Sequence, residues 1–487
     1  MMQTSAVDQN WGSKLVTLMR TELEQAILLL RQRLPNIPIV LLPHIQPWFR
    51  KHGAVAYQKG LSVEVISLES KVALYHLAQQ FSSIYLVDPH AAFFQHAENA
   101  LIRHEPLGGH PERSGAHLLL NELKIQMASV DTSLDRFKVV AIDLDDTLWR
   151  GSIHDGTATF DLQFLMRARA LHQLAHRGLL IVVVSKNEPT RKDEARKLLQ
   201  DWCEGLDKKI VSYRLNWKTK AENLIDISSE LEIGLDSFAF FDDSQRERNS
   251  ISFALPEVSV FDAIDLATCI SFPQFQPLYE TQSSKERPQQ YLEQSYRKTA
   301  QAQTKLHIDF LHDSKIKLLI RSAEKSDLAR VAELLSRTNQ LNSTLKRMSL
   351  SDLLPYQERQ LIIVGELYDR FGDFGVVAVA VFQRDPEHAD MANLLELAFS
   401  CRILELGVEE TFIKKYLNHL NQHGITFCNI EVNETERNQR MIANLKSLGF
   451  TPKQETDQIW IASTSSCSSP SAWISVILKD LAPILNN

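Results

Sequence analysis

Residues 137–151 read FKVVAIDLDDTLWRG, from Phe137 to Gly151. The apolar run over Val139–Leu144 has the composition of a buried strand. Three acids, Asp143, Asp145 and Asp146, crowd its end within four residues. Like charges repel, and each carboxylate costs free energy to take out of water. Such a cluster requires something positive between the acids.

Working outward, the apolar run LLIVVVS ends at Ser185, and FAFFDD ends at Asp242 and Asp243. Between the strands lie helical patterns. One, DLQFLMRARALHQLAHRG, closes on Gly178 at a helix-end position; another begins near Thr219. Apolar strands alternating with helices imply a parallel sheet covered on both faces, over residues 135–275. In such open sheets ligands bind outside the C-terminal strand ends. Asp143, Asp145, Ser185, Asp242 and Asp243 are therefore expected on one edge. Hard oxygen donors gathered there suit Mg²⁺, which keeps coordination positions for water and phosphate oxygens.

The 487 residues exceed one core, so two or three domains are expected. Residues 1–134 have strand-like runs at IPIVLLP and SSIYLVDP separated by helical patterns, an α/β reading. A polar, helical connector spans 276–314. Residues 315–463 read as strand, helix, three strands, helix, strand, helix, strand, and 464–487 as a Ser-rich linker and short apolar tail. The net charge of −7 gives no footprint for nucleic acid, and no stretch has the apolar length of a membrane span. Five scattered cysteines and an N-terminus without signal-peptide layout point to the cytoplasm.

Several stretches carry resemblances. GGHPERSGAHLLL resembles the closing His block of SGNH hydrolases. Leu107 stands where an Asp belongs before His110, and no Gly-Asp-Ser block is present, so a degenerate SGNH-like domain without esterase activity is expected. Asp143-Leu144-Asp145-Asp146-Thr147 resembles the D-x-D-x-T motif of the haloacid dehalogenase (HAD) superfamily, followed in order by Ser185, a Lys and the Asp242–Asp243 pair. This resemblance implies a HAD-type Rossmann-like sheet. Asp143 would be nucleophile and metal ligand, and Asp145 general acid/base. Ser185, Lys186 and Asn187 would bind phosphate, Lys220 would offset charge, and Asp145, Asp242 and Asp243 would serve the metal. Spacing alone does not choose between Lys218 and Lys220.

The phrases IDLDDTLWRG, VVVSKNEP, LNWKTKAENL, FFDDSQRERNSI, SRTNQLNSTLKRM, DRFGDFGVVAVAVF, FSCRILELGVEE and NQRMIANLKSLGF resemble the FkbH-like family of HAD proteins, over about the last three-quarters of the chain. LNWKTKAENL favours Lys220. The resemblance implies transfer of the glyceryl unit of D-1,3-bisphosphoglycerate to the phosphopantetheine thiol of an acyl carrier protein, with phosphate removal, for polyketide-type biosynthesis. The third segment has the element order of a GNAT acyltransferase, in which a pantetheine arm lies between two splayed strands. Cys401, before the phosphate-binding loop and beside Arg402, is expected at a helix N-terminus as a reactive thiol that carries the acyl group. Cys428 reads as core. The chain departs from the family at Arg150, Glu405 and Leu406, where glycines and an arginine are usual. Arg337, Lys346, Arg347, Lys414 and Lys415 are expected to offer a basic surface to an acidic carrier. Two other readings are a plain HAD phosphatase with a binding-only C-terminal domain, and a non-catalytic carrier-docking subunit.

Overall fold

The computed structural model describes residues 11–34, 39–43, 63–81, 84–87, 102–103, 110–111, 113–131, 134–279, 281–303, 307–385, 387–453, 456–466 and 471–481. The chain is mixed α/β and divides into two compact units: 1–131 with 350–352, and 132–349 with 353–487.

In the first unit, α1 (Trp11–Arg33) precedes β1 (Ile39–Leu41), and α2 (Val63–Gln80) precedes β2 (Ile84–Leu86). The two expected strand runs pair in parallel, Ile39 beside Ile84. Ile27, Leu41, Leu74, Leu77 and Ile84 form their core. β3 (Ile102–Arg103) pairs antiparallel with β4 (His110–Pro111), ahead of α3 (Arg113–Val130). His110 thus belongs to β4, whereas Leu107 lies outside the described residues.

The second unit opens with five parallel strands: β5 (Val139–Ile142), β6 (Leu180–Ser185), β7 (Ile210–Leu215), β8 (Phe238–Asp242) and β9 (Ser259–Asp262), in the order β7-β6-β5-β8-β9. Between them run α4 (Leu162–His176), α5 (Lys192–Trp202), α6 (Lys220–Leu231) and α7 (Gln245–Ala254). Every residue of β5, β6 and β8 is buried, because helices cover both faces. Central β5 has the crossover point beside it, so its C-terminal end is where a ligand crevice opens.

The polar connector forms α8 (Gln282–Gln303) and α9 (His307–Asp313). Helix α8 is fixed against the parallel sheet: Arg287 Nη1 donates to Gly178 O at 2.9 Å. Gly178 has φ +85, and a Cβ there would stand 2.5 Å from Ser284 O, so a side chain is excluded both by conformation and by space.

An eight-stranded sheet follows, in the order β15-β16-β14-β13-β12-β11-β10-β17. Its elements are β10 (Ile316–Ser322), α10 (Leu328–Arg337), α11 (Leu350–Glu358), β11 (Ile362–Asp369), β12 (Gly372–Arg384), β13 (Met391–Phe399), α12 (Val408–Gln422), β14 (Phe427–Glu431), α13 (Gln439–Ser447), β15 (Thr451–Lys453), β16 (Thr456–Ser463) and β17 (Ile474–Lys479). This is the expected GNAT-like element order with α11 and β15 added. The apolar tail adds a strand to it: β17 lies parallel to β10, Ile316 beside Ile474 through Arg321 beside Lys479. Cys428 is fully buried in the core of this sheet.

Candidate active site

The pairing of β5 with β8 sets Ile142 beside Phe241. The next residues on each strand are Asp143 and Asp242, and the bond from Asp143 N to Phe241 O (3.0 Å) continues the ladder to them. One carboxylate oxygen from each of Asp143, Asp242 and Asp243 lies within 4.8 Å of the others. Asp143 and Asp242 are buried; Asp243 is exposed. Burial, together with repulsion by Asp143, pushes the Asp242 carboxyl up to about 6 despite Lys220. The same two causes raise Asp243.

Lys220 bridges the pair, its Nζ 3.1 Å from Asp143 Oδ1 and 2.5 Å from Asp242 Oδ2. Burial alone would depress its ammonium, but Asp143 and Asp242 outweigh burial and its pKa is raised. A capping box places it: Thr219 Oγ1 accepts from Glu222 N, and Glu222 Oε2 accepts from Thr219 N. Lys220 is thereby the first residue of α6. Lys218 is exposed and faces Asp226 at 3.4 Å, so the lysine of this site is Lys220.

Asp143 Oδ1 is buried, with the Lys220 ammonium as its partner among the described residues. Three carboxylates converging on one ammonium leave an excess of negative charge and of oxygen donors that fits a hard divalent cation. Asp145, expected among the ligands, is not in this triplet. Its Oδ1 accepts from Trp149 Nε1 at 2.8 Å and Ile153 N at 3.2 Å, and its Oδ2 from Asn187 Nδ2 at 3.0 Å. Three donors turn the group toward the loop after β5 and hold it there. Trp149, fully buried, is a positioning residue that the motif did not single out.

Ser185 is buried at the end of β6. Lys186 pairs with Glu247 on α7 at 2.7 Å, and Asn187 is turned to Asp145 with its own Oδ1 buried and unbonded. Of the three expected phosphate contacts, Lys186 and Asn187 are thus committed to protein partners. Arg150 is exposed and pairs with Asp161 at 3.1 Å, at the N-cap of α4.

The GNAT-like sheet departs from expectation where the pantetheine arm would lie. β13 and β14 pair only from Met391 beside Phe427 to Leu394 beside Ile430, and then part. The chain's own residues 341–344 fill the gap. Ser343 N donates to Leu397 O (2.9 Å), Phe399 N to Leu341 O (2.8 Å), and Asn433 N to Ser343 O (2.9 Å). Leu341, Asn342, Ser343 and Thr344 are all buried. The adjoining loop is equally committed. Glu405 takes φ +68, Trp473 Nε1 donates to Leu406 O at 2.9 Å, and Glu409 and Glu410 occupy the first turn of α12. Those acids already complement the helix dipole that would otherwise attract phosphate.

Cys401 is the first residue of a one-turn 3₁₀ segment, Cys401–Ile403, not of a long helix. Arg402 is buried and donates to Gln290, Ser400 Oγ and Phe374 O, not to the thiol. Burial raises the Cys401 thiol, with Lys138 opposing. Cys401 lines a cavity with Lys138, Leu180 and Ser237, residues at the N-terminal ends of β5, β6 and β8. It therefore faces the edge opposite Asp143, and neither the expected activation nor the expected facing gap is found. Four of the five residues expected on a basic surface, all but Lys415, have places within the chain. Arg337 lines this cavity, Lys346 pairs with Glu431, Arg347 pairs with Asp135, and Lys414 is buried against Glu410.

No family model matches the chain, and no curated protein matches it. Among solved structures, the chain is similar to the N-terminal part of a Bacteroides fragilis protein containing a phosphatase domain, complexed with Mg. The identity is 21%, over 54% of this chain and 72% of that one, with a TM-score of 0.43. It is also similar to the ribosomal-protein-S18-alanine N-acetyltransferase of Escherichia coli (18% identity, 32% of this chain, 97% of that one, TM-score 0.24). A putative acetyltransferase from Salmonella typhimurium with acetyl-CoA gives 17%, 32%, 98% and 0.24 in the same order. The fold description rests on the chain's own strand order and register. Among the described residues no helix is long and apolar enough to cross a membrane.

Proposed function

We propose that the chain is a Mg²⁺-dependent HAD-type phosphatase, acting as an FkbH-like glyceryl transferase/phosphatase on 1,3-bisphosphoglycerate and an acyl carrier protein. The observation that carries the phosphatase reading is the buried Asp143–Lys220–Asp242 bridge with Asp243 beside it. Asp143, Asp242 and Asp243 would hold the ion, which supplies charge neutralisation for the phosphoryl group. Asp143 attacks phosphorus and the bond to the leaving oxygen breaks, that oxygen taking a proton from Asp145. Asp145 then removes a proton from water, which attacks the aspartyl-phosphate and releases phosphate. Trp149 and Asn187 keep Asp145 aimed, and Lys220 offsets the charge on Asp143.

The glyceryl step rests on the resemblance in both parts of the second unit. A second reading, a small-molecule phosphatase whose GNAT-like part carries no acyl group, is favoured by residues 341–344 in the strand gap. Incubation with 1,3-bisphosphoglycerate, Mg²⁺ and candidate carrier proteins, followed by intact mass, separates them. A carrier heavier by a glyceryl or phosphoglyceryl unit supports transfer; phosphate release with every carrier unmodified supports the second reading. Undiminished phosphate release in EDTA would sink both.

A further inference from the structure

The cavity beside Cys401 has ≈ 270 Å³ of volume and lies inside the second unit, between the parallel sheet, α8 and α10. Its walls carry six Lys and Arg side chains against four carboxylates, an excess of two positive charges. Most of these cations have protein partners. Arg287 and Arg330 both pair with Glu333, and Arg402 is bonded to Gln290 and Phe374 O. Two do not: the Lys138 ammonium and the Arg337 guanidinium make no hydrogen bond or ion pair among the described residues. Burial, with the neighbouring arginines, lowers Arg337 to about 9; burial, with Arg337 and Arg347 adding to it, lowers Lys138 to about 8. The crowding of like charge repeats, with the sign reversed, the problem posed by the acids at the other edge.

We infer that this cavity binds a small phosphate monoester between Lys138 and Arg337, at the edge of the parallel sheet opposite Asp143. A monoester dianion matches the excess of two charges. Arg337 offers it a planar fork and Lys138 a compact charge. The volume lies just under the ~300–1,000 Å³ of drug-sized ligand pockets, which suits a phosphorylated metabolite of a few carbons rather than a nucleotide. The inference stands on the cavity and is independent of catalysis at Asp143.

Equilibrium dialysis of the full chain against radiolabelled inorganic phosphate, in EDTA, tests it. Wild type and Asp143→Asn should bind saturably. Arg337→Gln and Lys138→Gln should each weaken binding about tenfold or more, the scale of one lost charge-assisted bond. Displacement by glycerol 3-phosphate supports a small metabolite monoester, whereas displacement by pantetheine 4′-phosphate but not by glycerol 3-phosphate would overturn that assignment. Absence of saturable binding in wild type, binding kept by both charge variants, or binding lost in Asp143→Asn would overturn the inference. Its failure leaves Mg²⁺-dependent phosphate release untouched, and the converse holds.

Discussion

Asp143 and Cys401 stand at opposite edges of one parallel sheet. Asp143 follows the last residue of β5, and Cys401 shares its cavity with Lys138, which precedes the first. Five residue steps separate Lys138 from Asp143, about 16 Å at roughly 3.3 Å per step. A three-carbon bisphosphate is shorter than this span. If the proposed glyceryl transfer takes place at the Asp143 edge, direct attack by a carrier thiol would need no Cys401 thioester, because Cys401 lines a cavity at the other edge.

The first prediction follows for Asp143. Asn keeps its size and removes the nucleophilic charge. Asp143→Asn should lose phosphate release by about 100-fold or more, while Cys401→Ala retains it. Parallel release assays of the two purified variants check this; loss of release in Cys401→Ala would tie the two edges into one site.

Cys401 itself should be a slow nucleophile. Burial holds its thiol above the ordinary value of 9.0, so little thiolate exists at neutral pH. Iodoacetamide labelling of Cys401 should be slow at pH 7 and still climbing above pH 9. Lys138 opposes the shift, so Lys138→Gln should slow labelling further. Rapid labelling at pH 7, mapped by peptide mass, would contradict the burial argument.

The sequence displayed the acidic edge because local rules write it. Val139–Ile142 and Phe238–Phe241 are uniformly apolar, and each hands directly to its acid; Thr219 and Glu222 announce the start of α6 three residues apart. Long-range pairing left no such trace. Residues 341–344, Leu-Asn-Ser-Thr, have no period, and it is distant partners on β13, at Asn433 and at Asn438 that make them a gap filler. β17 is a short apolar run whose parallel partner β10 lies more than 150 residues upstream. Cys401 looked activated because Arg402 follows it in sequence. The guanidinium in fact turns to α8, and the thiol's charged neighbour is Lys138. Asp145 carried the right motif position, but its donors Trp149, Ile153 and Asn187 depend on how the loop closes.

Asn438 secures the gap filler. It is fully buried, and its Nδ2 donates to Asn342 O at 3.0 Å and to Asn433 O at 2.9 Å. Asn438→Ala leaves these carbonyls short of a donor and should destabilise the second unit by ~1–3 kcal/mol. Urea denaturation measures it; an unchanged midpoint would show that residues 341–344 are held without Asn438.

Glu396 gives that same gap a pH dependence. It is buried on β13 and accepts from Thr344 Oγ1 at 2.5 Å. Burial pushes its carboxyl up to about 7 from 4.5, against the opposing effects of Thr344 and Lys346. A raised carboxyl favours the protonated folded state. Its contribution to stability is complete below pH 4.5 and is lost as pH rises through 7, where the fold must bury a charge. Glu396→Gln keeps the shape and cannot ionise. The variant should therefore be more stable than wild type at pH 8, by on the order of 1–3 kcal/mol, and the difference should shrink toward pH 5. Denaturation midpoints of both proteins across that range decide the matter; a difference constant with pH would mean that the carboxylate is ionised throughout and is satisfied by Thr344 and Lys346.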